Sequence, residues 1–186
     1  MSNLLKESLL SAPIIYQGEY PYIIHPLCDG FPAISPDLIS EVVHELTQII
    51  KPYMPFDKLV TVEAMGIPIT TLLSQELSIP FTIIRKRWYN LDREICIKKQ
   101  TGYAQSDLFL NGITKHESIV FIDDIISTGG TIDAIFRVLH DLQVNIKAGV
   151  VVIDKGNQRN TLSVKTGTPL HSLINISIQQ NRIAIL

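Results

Sequence analysis

The 186-residue chain is poor in cysteine: Cys28 and Cys96 are its only two. Two thiols build neither a disulfide framework nor a zinc cluster, so they read as ordinary reduced thiols. No apolar run approaches the ~20 residues of a membrane span. The opening "MSNLLKESLLSAPII" breaks its leucines with Lys6 and Glu7, so it lacks the apolar core of a secretory leader. Excess charge of one sign is missing too. The formal net charge is −2, with no basic tail, which argues against a dedicated nucleic-acid binder. Hydrophobic residues make up 46% and charged ones 18%, a balance that excludes a disordered chain. There is no internal repeat, no low-complexity stretch and no GxxxxGK phosphate loop. A cytoplasmic globular protein is expected, with one domain over residues 1–186.

The first thirty-odd residues are rich in Tyr and Pro, as in "YQGEYPYIIHPLCDGFP", and read as irregular or short-strand structure. "SPDLISEVVHELTQII" is helical. Ser35 is placed to cap it, Pro36 suits its first position, and Leu38, Val42, Leu46 and Ile49 form an apolar stripe. Strands and helices then alternate. "KLVTVEA" is a strand ending at Glu63, "MGIPITTLLSQEL" a helix, and "IPFTIIRK" a strand ending in Arg85, Lys86 and Arg87. A polar stretch follows, Trp88 to Asp107, whose alternation at Glu94 to Lys98 suggests a β-ribbon or a long mobile loop. "SIVFIDD" is the third strand, and "GTIDAIFRVLHDLQ" is a helix with Ile132, Ile135, Phe136, Leu139 and Leu142 on one face. "IKAGVVVIDK" and "HSLINISI" are the fourth and fifth strands. The expected fold is α/β, a central mostly parallel sheet flanked by helices. Ligands in such folds bind beyond the carboxyl ends of the strands. Three polar clusters, Glu63 to Gly66, Arg85 to Arg87 and Asp123 to Thr131, should therefore meet in one crevice.

The segment "VFIDDIISTGGT", Val120 to Thr131, carries the chemistry. Adjacent carboxylates at the end of a buried strand repel and lose hydration, so they call for a cation, a hydroxyl-rich ligand or both. The bland alternative is a strand ending in two solvated acids. Small residues after the acids let the backbone approach a ligand, and the following helix N-terminus favours a phosphate. Ser127, Thr128 and Thr131 add hydroxyls beside Gly129 and Gly130. A phosphate near a vicinal diol describes a ribose 5-phosphate, with Asp123 and Asp124 on the diol.

This segment resembles, almost position for position, the phosphoribosyl pyrophosphate (PRPP) signature of type I phosphoribosyltransferases. "VTVEAMGIP" resembles that family's pyrophosphate loop, which assigns Glu63, Ala64, Met65 and Gly66 to pyrophosphate. "IIRKRW" resembles the segment that supplies cations to it, here Arg85 and Lys86, often across a homodimer. The stretch from about 88 to 107 fits the family's flexible loop, with Lys99 and Tyr103 as its candidates. Its closure would exclude water. The resemblance implies a type I phosphoribosyltransferase fold, with a small hood from about 1–34 and 155–186. It implies transfer of ribosyl phosphate to a base with release of pyrophosphate. It also implies Mg²⁺, held through PRPP and water, with Asp123 and Asp124 as further candidate ligands.

Lys155, at the end of the fourth strand, sits where 6-oxopurine enzymes of this family place a lysine that donates to the purine O6. The layout most resembles archaeal-type hypoxanthine phosphoribosyltransferases. Adenine and xanthine enzymes share features with it. Tyr20, Tyr22 and Ile24 are placed either to stack on a purine or to form hood core, and His25 to pack. One departure concerns the base's proton: Ser127 stands where many hypoxanthine-guanine enzymes carry an acid, and serine alone is no base. The leading expectation is purine salvage, with hypoxanthine or guanine as acceptor. The others are an adenine, xanthine or orotate enzyme and a PRPP- or purine-sensing regulator of the same fold.

Overall fold

The computed structural model describes residues 3–98 and 107–186. The chain begins with helix α1 (Asn3–Leu10), then a hairpin of β1 (Ile14–Gln17) and β2 (Tyr20–Ile23), then a short helix α2 (Pro26–Asp29). Helix α3 spans Pro36–Ile50 and is followed by a 3₁₀ turn, Lys51–Tyr53. Next come β3 (Lys58–Val62), α4 (Gly66–Leu77) and β4 (Phe81–Ile84). Strands β5 (Ile95–Ile97) and β6 (Leu108–Leu110) pair antiparallel as a ribbon. The second half holds β7 (Ser118–Ile126), α5 (Gly130–Asp141), β8 (Asn145–Lys155), α6 (Gln158–Thr166), β9 (Leu170–Gln179) and β10 (Arg182–Ile185).

The main sheet has the order β10-β9-β8-β7-β3-β4. Its strands pair in parallel except β10, which returns antiparallel on β9. Successive side chains of a strand point to opposite faces, so the inner strands feed two cores. Val120 and Ile122 join the cluster that holds α1, α3 and α4, while Ile119 and Phe121 join the cluster that holds α5 and the ribbon. Burial on both faces is why these strands read as unbroken apolar runs. The crossovers through α4 and α5 leave β3 and β7 in opposite directions. The space above the ends of these two strands is therefore a topological switch point, where ligands bind in open α/β sheets.

Four features differ from the sequence expectations. Helix α1 occupies part of the segment expected to be irregular or short strands. Leu5 and Leu9, one turn apart, are fully buried. Glu41 of α3 accepts from the Leu4 and Leu5 backbone amides at 3.0 and 3.2 Å. That helix is stabilised by tertiary contact, which a local pattern does not display. Ser35 stands at the N-cap of α3, but its side chain makes no cap bond. Strand β7 does not stop at the acids; it runs through them to Ile126, with Asp123 opposite Val151 and Ile126 opposite Asp154. Residues 155–186 place β9 and β10 in the main sheet, so the chain's end supplies sheet as well as the turn after Lys155. The alternation at Glu94 to Lys98 does form a ribbon, through β5 and β6.

Candidate active site

Asp123 and Asp124 leave β7 on opposite sides, as neighbours in a strand must. Asp123 is buried, and its Oδ1 accepts from the Asp124 backbone amide at 3.0 Å. It faces the β3–α4 turn: a Cβ placed on Gly66 would lie 3.1 Å from Asp123 Oδ1 and 2.1 Å from Thr61 Oγ1. Gly66 is thus required by close packing beneath the turn. Asp124 faces α2, where the Cys28 thiol stands beside its carboxylate. Burial raises the Asp124 carboxyl above its ordinary range, and hydrogen bonds from its surroundings oppose that shift. The same burial, with Asp124 beside it, pushes the Cys28 thiol well up, so it stays protonated and donates.

The loop after β7 turns into α5 through Gly129, whose φ is +79°. A side chain there would be strained, and its Cβ would meet Leu162 Cδ1 of α6 at 2.6 Å. Ser127, Thr128 and Thr131 surround the N-terminus of α5, whose first amides lack intrahelical acceptors and carry the positive end of the helix dipole. The Glu63–Ala64 peptide, at the start of the β3–α4 turn, is cis. Glu63 draws the β3 and β4 ends together. Its Oε1 accepts from the Lys86 amide at 2.6 Å, and its Oε2 lies 2.5 Å from Arg85 Nε, a charge contact off the axis of a hydrogen bond.

These elements enclose a cleft of about 210 Å³ lined by Glu63, Lys86, Asp123, Asp124, Ser127 and Thr131, among others. Each of the three expected clusters contributes to its wall: Glu63 of the first, Lys86 of the second, and Asp123 to Gly129 with Thr131 of the third, while Ala64, Met65, Gly66 and Gly130 do not line it. Lys86 lines the cleft, whereas Arg85 is engaged by Glu63. Lys155 reaches the N-terminal hairpin: its Nζ donates to the Pro21 carbonyl at 2.5 Å and lies 3.9 Å from the centre of the Tyr20 ring. The Tyr20 hydroxyl in turn hydrogen-bonds Ser127 Oγ. Lys99 and Tyr103 lie outside the described residues.

Three site features escaped sequence reasoning. Nothing in the sequence around Cys28 pairs it with Asp124, 96 positions on; only the docking of α2 on β7 does so. The sequence offers Tyr20 as stacking or core material, not as a partner of Ser127. Asp154 is fully buried and accepts from the Gln158 and Arg159 amides at 2.7 and 3.2 Å, which pins the turn that follows Lys155. An acid four residues ahead of a helix start was its one local signal.

Among the described residues no group of three or more His, Cys, Asp or Glu could hold a metal ion by itself. The two cleft carboxylates are hard oxygen donors. They suit a Mg²⁺ ion whose other ligands come from substrate and water.

A parallel-sheet crevice at a switch point, with paired acids on one side and a hydroxyl-rich helix N-terminus on the other, defines an α/β protein built for a sugar phosphate. Residues 38–177 match the phosphoribosyl transferase domain. The chain is 44% identical over 186 residues to a hypoxanthine/guanine phosphoribosyltransferase of Methanococcus maripaludis (strain C7), covering 100% of both chains. It is 42% identical to that of Methanothermococcus okinawensis, over 99% of this chain and 100% of the relative. Among solved structures, the adenine phosphoribosyltransferase of Thermoanaerobacter pseudethanolicus matches at TM-score 0.74 and 19% identity, covering 92% of this chain and 99% of that one. The Saccharomyces cerevisiae adenine phosphoribosyltransferase matches at 0.75 and 18%, covering 93% and 99%. The chain belongs to the phosphoribosyl transferase family and has the type I fold of such transferases.

Proposed function

We propose that residues 1–186 form one catalytic domain that transfers the ribosyl phosphate of PRPP to hypoxanthine or guanine, giving IMP or GMP and pyrophosphate. The observation that carries the choice of base is Lys155, whose ammonium lies 3.9 Å from the centre of the Tyr20 ring, the residue that also bonds Ser127 of the cleft wall. An ammonium donates to the O6 of a 6-oxopurine and opposes the amino group of adenine. The full-length relatives named for hypoxanthine and guanine support this reading. The adenine enzymes are under 25% identical and bear on the fold alone.

Ser127 to Thr131 and the α5 N-terminus hold the 5-phosphate. Asp123 and Asp124 accept hydrogen bonds from the ribose hydroxyls. Their charge also favours the cationic character that grows on the sugar as the C1–pyrophosphate bond breaks and the C1–purine nitrogen bond forms. The amides of the Glu63 to Gly66 turn and the ammonium of Lys86 face the departing pyrophosphate. Asp123 and Asp124, with water, would hold a Mg²⁺ ion arriving with PRPP, and the ion would supply positive charge to neutralise the leaving group. The base's N–H proton passes to water or to the departing pyrophosphate, since Ser127 stands where a carboxylate would otherwise take it. Arg87, Trp88, Tyr89 and Leu91 leave an exposed basic and apolar segment after β4, which suits a homodimer that brings a second such segment to the cleft. The free thiols Cys28 and Cys96 suit a reducing cytoplasm, and among the described residues no helix is long and apolar enough to cross a membrane.

The test is pyrophosphate release from PRPP and Mg²⁺ with hypoxanthine, guanine, xanthine and adenine offered in parallel. Turnover with a 6-oxopurine, abolished by Asp123→Asn with Asp124→Asn, is the expected result. Turnover with adenine alone overturns the role of Lys155. Tight PRPP binding without turnover on any base makes the protein a regulator.

A further inference from the structure

The residue joining the two ends of the proposed ligand path is Tyr20. Its hydroxyl bonds Ser127, at the 5-phosphate end, and its ring lies under the Lys155 ammonium, at the base end. The next residue, Pro21, takes the Lys155 ammonium on its carbonyl at 2.5 Å. A bound nucleotide needs the same two groups. The 5-phosphate needs Ser127 Oγ, and the purine O6 needs Lys155 Nζ.

Tyr20 is also placed where it can withdraw. It is the first residue after the tight turn of the hairpin, opposite Gln17, with Gly18 at φ +61° in the turn. The hairpin is a sheet of two four-residue strands that pairs with no other described strand. Such hairpins are marginal by themselves and rely on outside contacts. Behind the tip, Ile23 is buried and the Ile24 amide donates to the Pro13 carbonyl at 2.9 Å, so the base of the hairpin is anchored. At the tip Tyr22 meets Tyr20 edge-on, with ring centres 4.7 Å apart. A swing of the tip breaks the Tyr20 and Pro21 contacts and leaves the core intact.

We propose that Tyr20 is an internal competitor of the nucleotide: without ligand its phenol occupies the path from Ser127 to Lys155, and ligand binding displaces it. Tyr20 thereby sets the affinity of the cleft for phosphorylated ligands. The inference rests on the assignment of Ser127 and Lys155 made above. A residue that competes with the ligand weakens binding, so its removal tightens binding. Loss of a residue that merely supports the fold, or that stacks on the bound base, does the reverse.

The experiment titrates the full chain calorimetrically with ribose 5-phosphate and with IMP, as wild type, Tyr20→Phe and Asp123→Asn/Asp124→Asn. Tyr20→Phe keeps the ring and removes the hydroxyl. It should bind ribose 5-phosphate about three- to tenfold more tightly, the range expected for deleting one neutral hydrogen bond from the unliganded state alone. A lower KM for PRPP should accompany it. Unchanged or weaker binding by Tyr20→Phe, with wild-type binding lost in the double Asn variant, overturns the competitor and leaves the site assignment standing. Binding by Tyr20→Phe but not by wild type supports it most strongly. No binding by either overturns both. In the wild-type sequence, 3-fluorotyrosine at position 20 should change its ¹⁹F shift when ribose 5-phosphate saturates the protein. A signal unmoved at saturation overturns the displacement.

Discussion

The thiol of Cys28 on α2 stands beside the carboxylate of Asp124 on β7. A residue of the N-terminal segment thus adjoins one of the two acids proposed to hold the ribose diol. The thiol donates to the charged form and so lowers the Asp124 pKa against the dominant effect of burial, which raises it. Cys28→Ala removes that donor. The acid limb of kcat/KM against pH should move to higher pH in Cys28→Ala and stay near the wild-type position in Cys28→Ser, which keeps a donor. A limb unmoved by the alanine would show that the thiol does not tune Asp124.

Asp124 has a raised carboxyl in the folded state, so the folded protein prefers it neutral. Its contribution to stability is complete below its ordinary value of 3.8 and is lost as pH rises through the raised value. At neutral pH the charged group therefore costs stability. Asp124→Asn should melt higher than wild type at pH 7. It should lose about 10- to 100-fold in kcat/KM, the scale of a hydrogen bond to a charged group. Calorimetric melting and the pyrophosphate assay together check this, and a lower melting temperature contradicts it.

His25 gives the opposite pH dependence. It is fully buried between α1 and α2, with Nε2 2.9 Å from Ser8 Oγ and Nδ1 accepting from the Leu27 amide at 3.3 Å. Burial lowers its pKa from 6.5 to about 4, against a smaller opposing pull from Asp29. Its contribution is complete above 6.5 and is lost as pH falls toward 4, amounting to roughly 3 kcal/mol. Replacement by Asn should flatten the fall of the melting temperature between those pH values. An equally steep fall in the variant places the acid sensitivity elsewhere.

Lys155→Met keeps the aliphatic reach and removes the ammonium. The KM for hypoxanthine or guanine should rise about 10- to 100-fold, as for a lost charge-assisted hydrogen bond, while the KM for PRPP changes far less. Equal changes in both would mean that Lys155 acts on the hood as a whole.

Gly66→Ala places a methyl group 2.1 Å from Thr61 Oγ1 and 3.1 Å from Asp123 Oδ1. The turn must shift, at about 1–3 kcal/mol of stability, the usual range for overpacking. PRPP affinity should fall with it. A denaturant midpoint and a PRPP titration read the two effects, and a variant unchanged in both refutes the close packing.

The alternating strands and helices were legible because each carries its own period. Leu38, Val42 and Leu46 mark the buried stripe of α3, and the runs in β7 and β8 are apolar on both faces. The loop after β7 is legible for the same reason. Asp123 to Thr131 is contiguous, and its chemistry lies in adjacent residues whose order the chain preserves. Helix α6 was not read: it buries Leu162 alone, and α1 depends on Glu41 from another helix.

What the sequence by itself determined was the α/β alternation, the paired acids, the small-residue loop and the lysine that ends β8, all local in the chain. Only the tertiary structure decided which distant groups meet. The Cys28 thiol reaches Asp124, Glu63 engages Arg85, and Tyr20 spans Ser127 and Lys155. Those contacts join residues whose separation along the chain carries no periodic signal. They form because the parallel sheet brings the carboxyl ends of its strands to one edge, and because burying the apolar faces of α1 and the hairpin base sets the N-terminal segment against that edge.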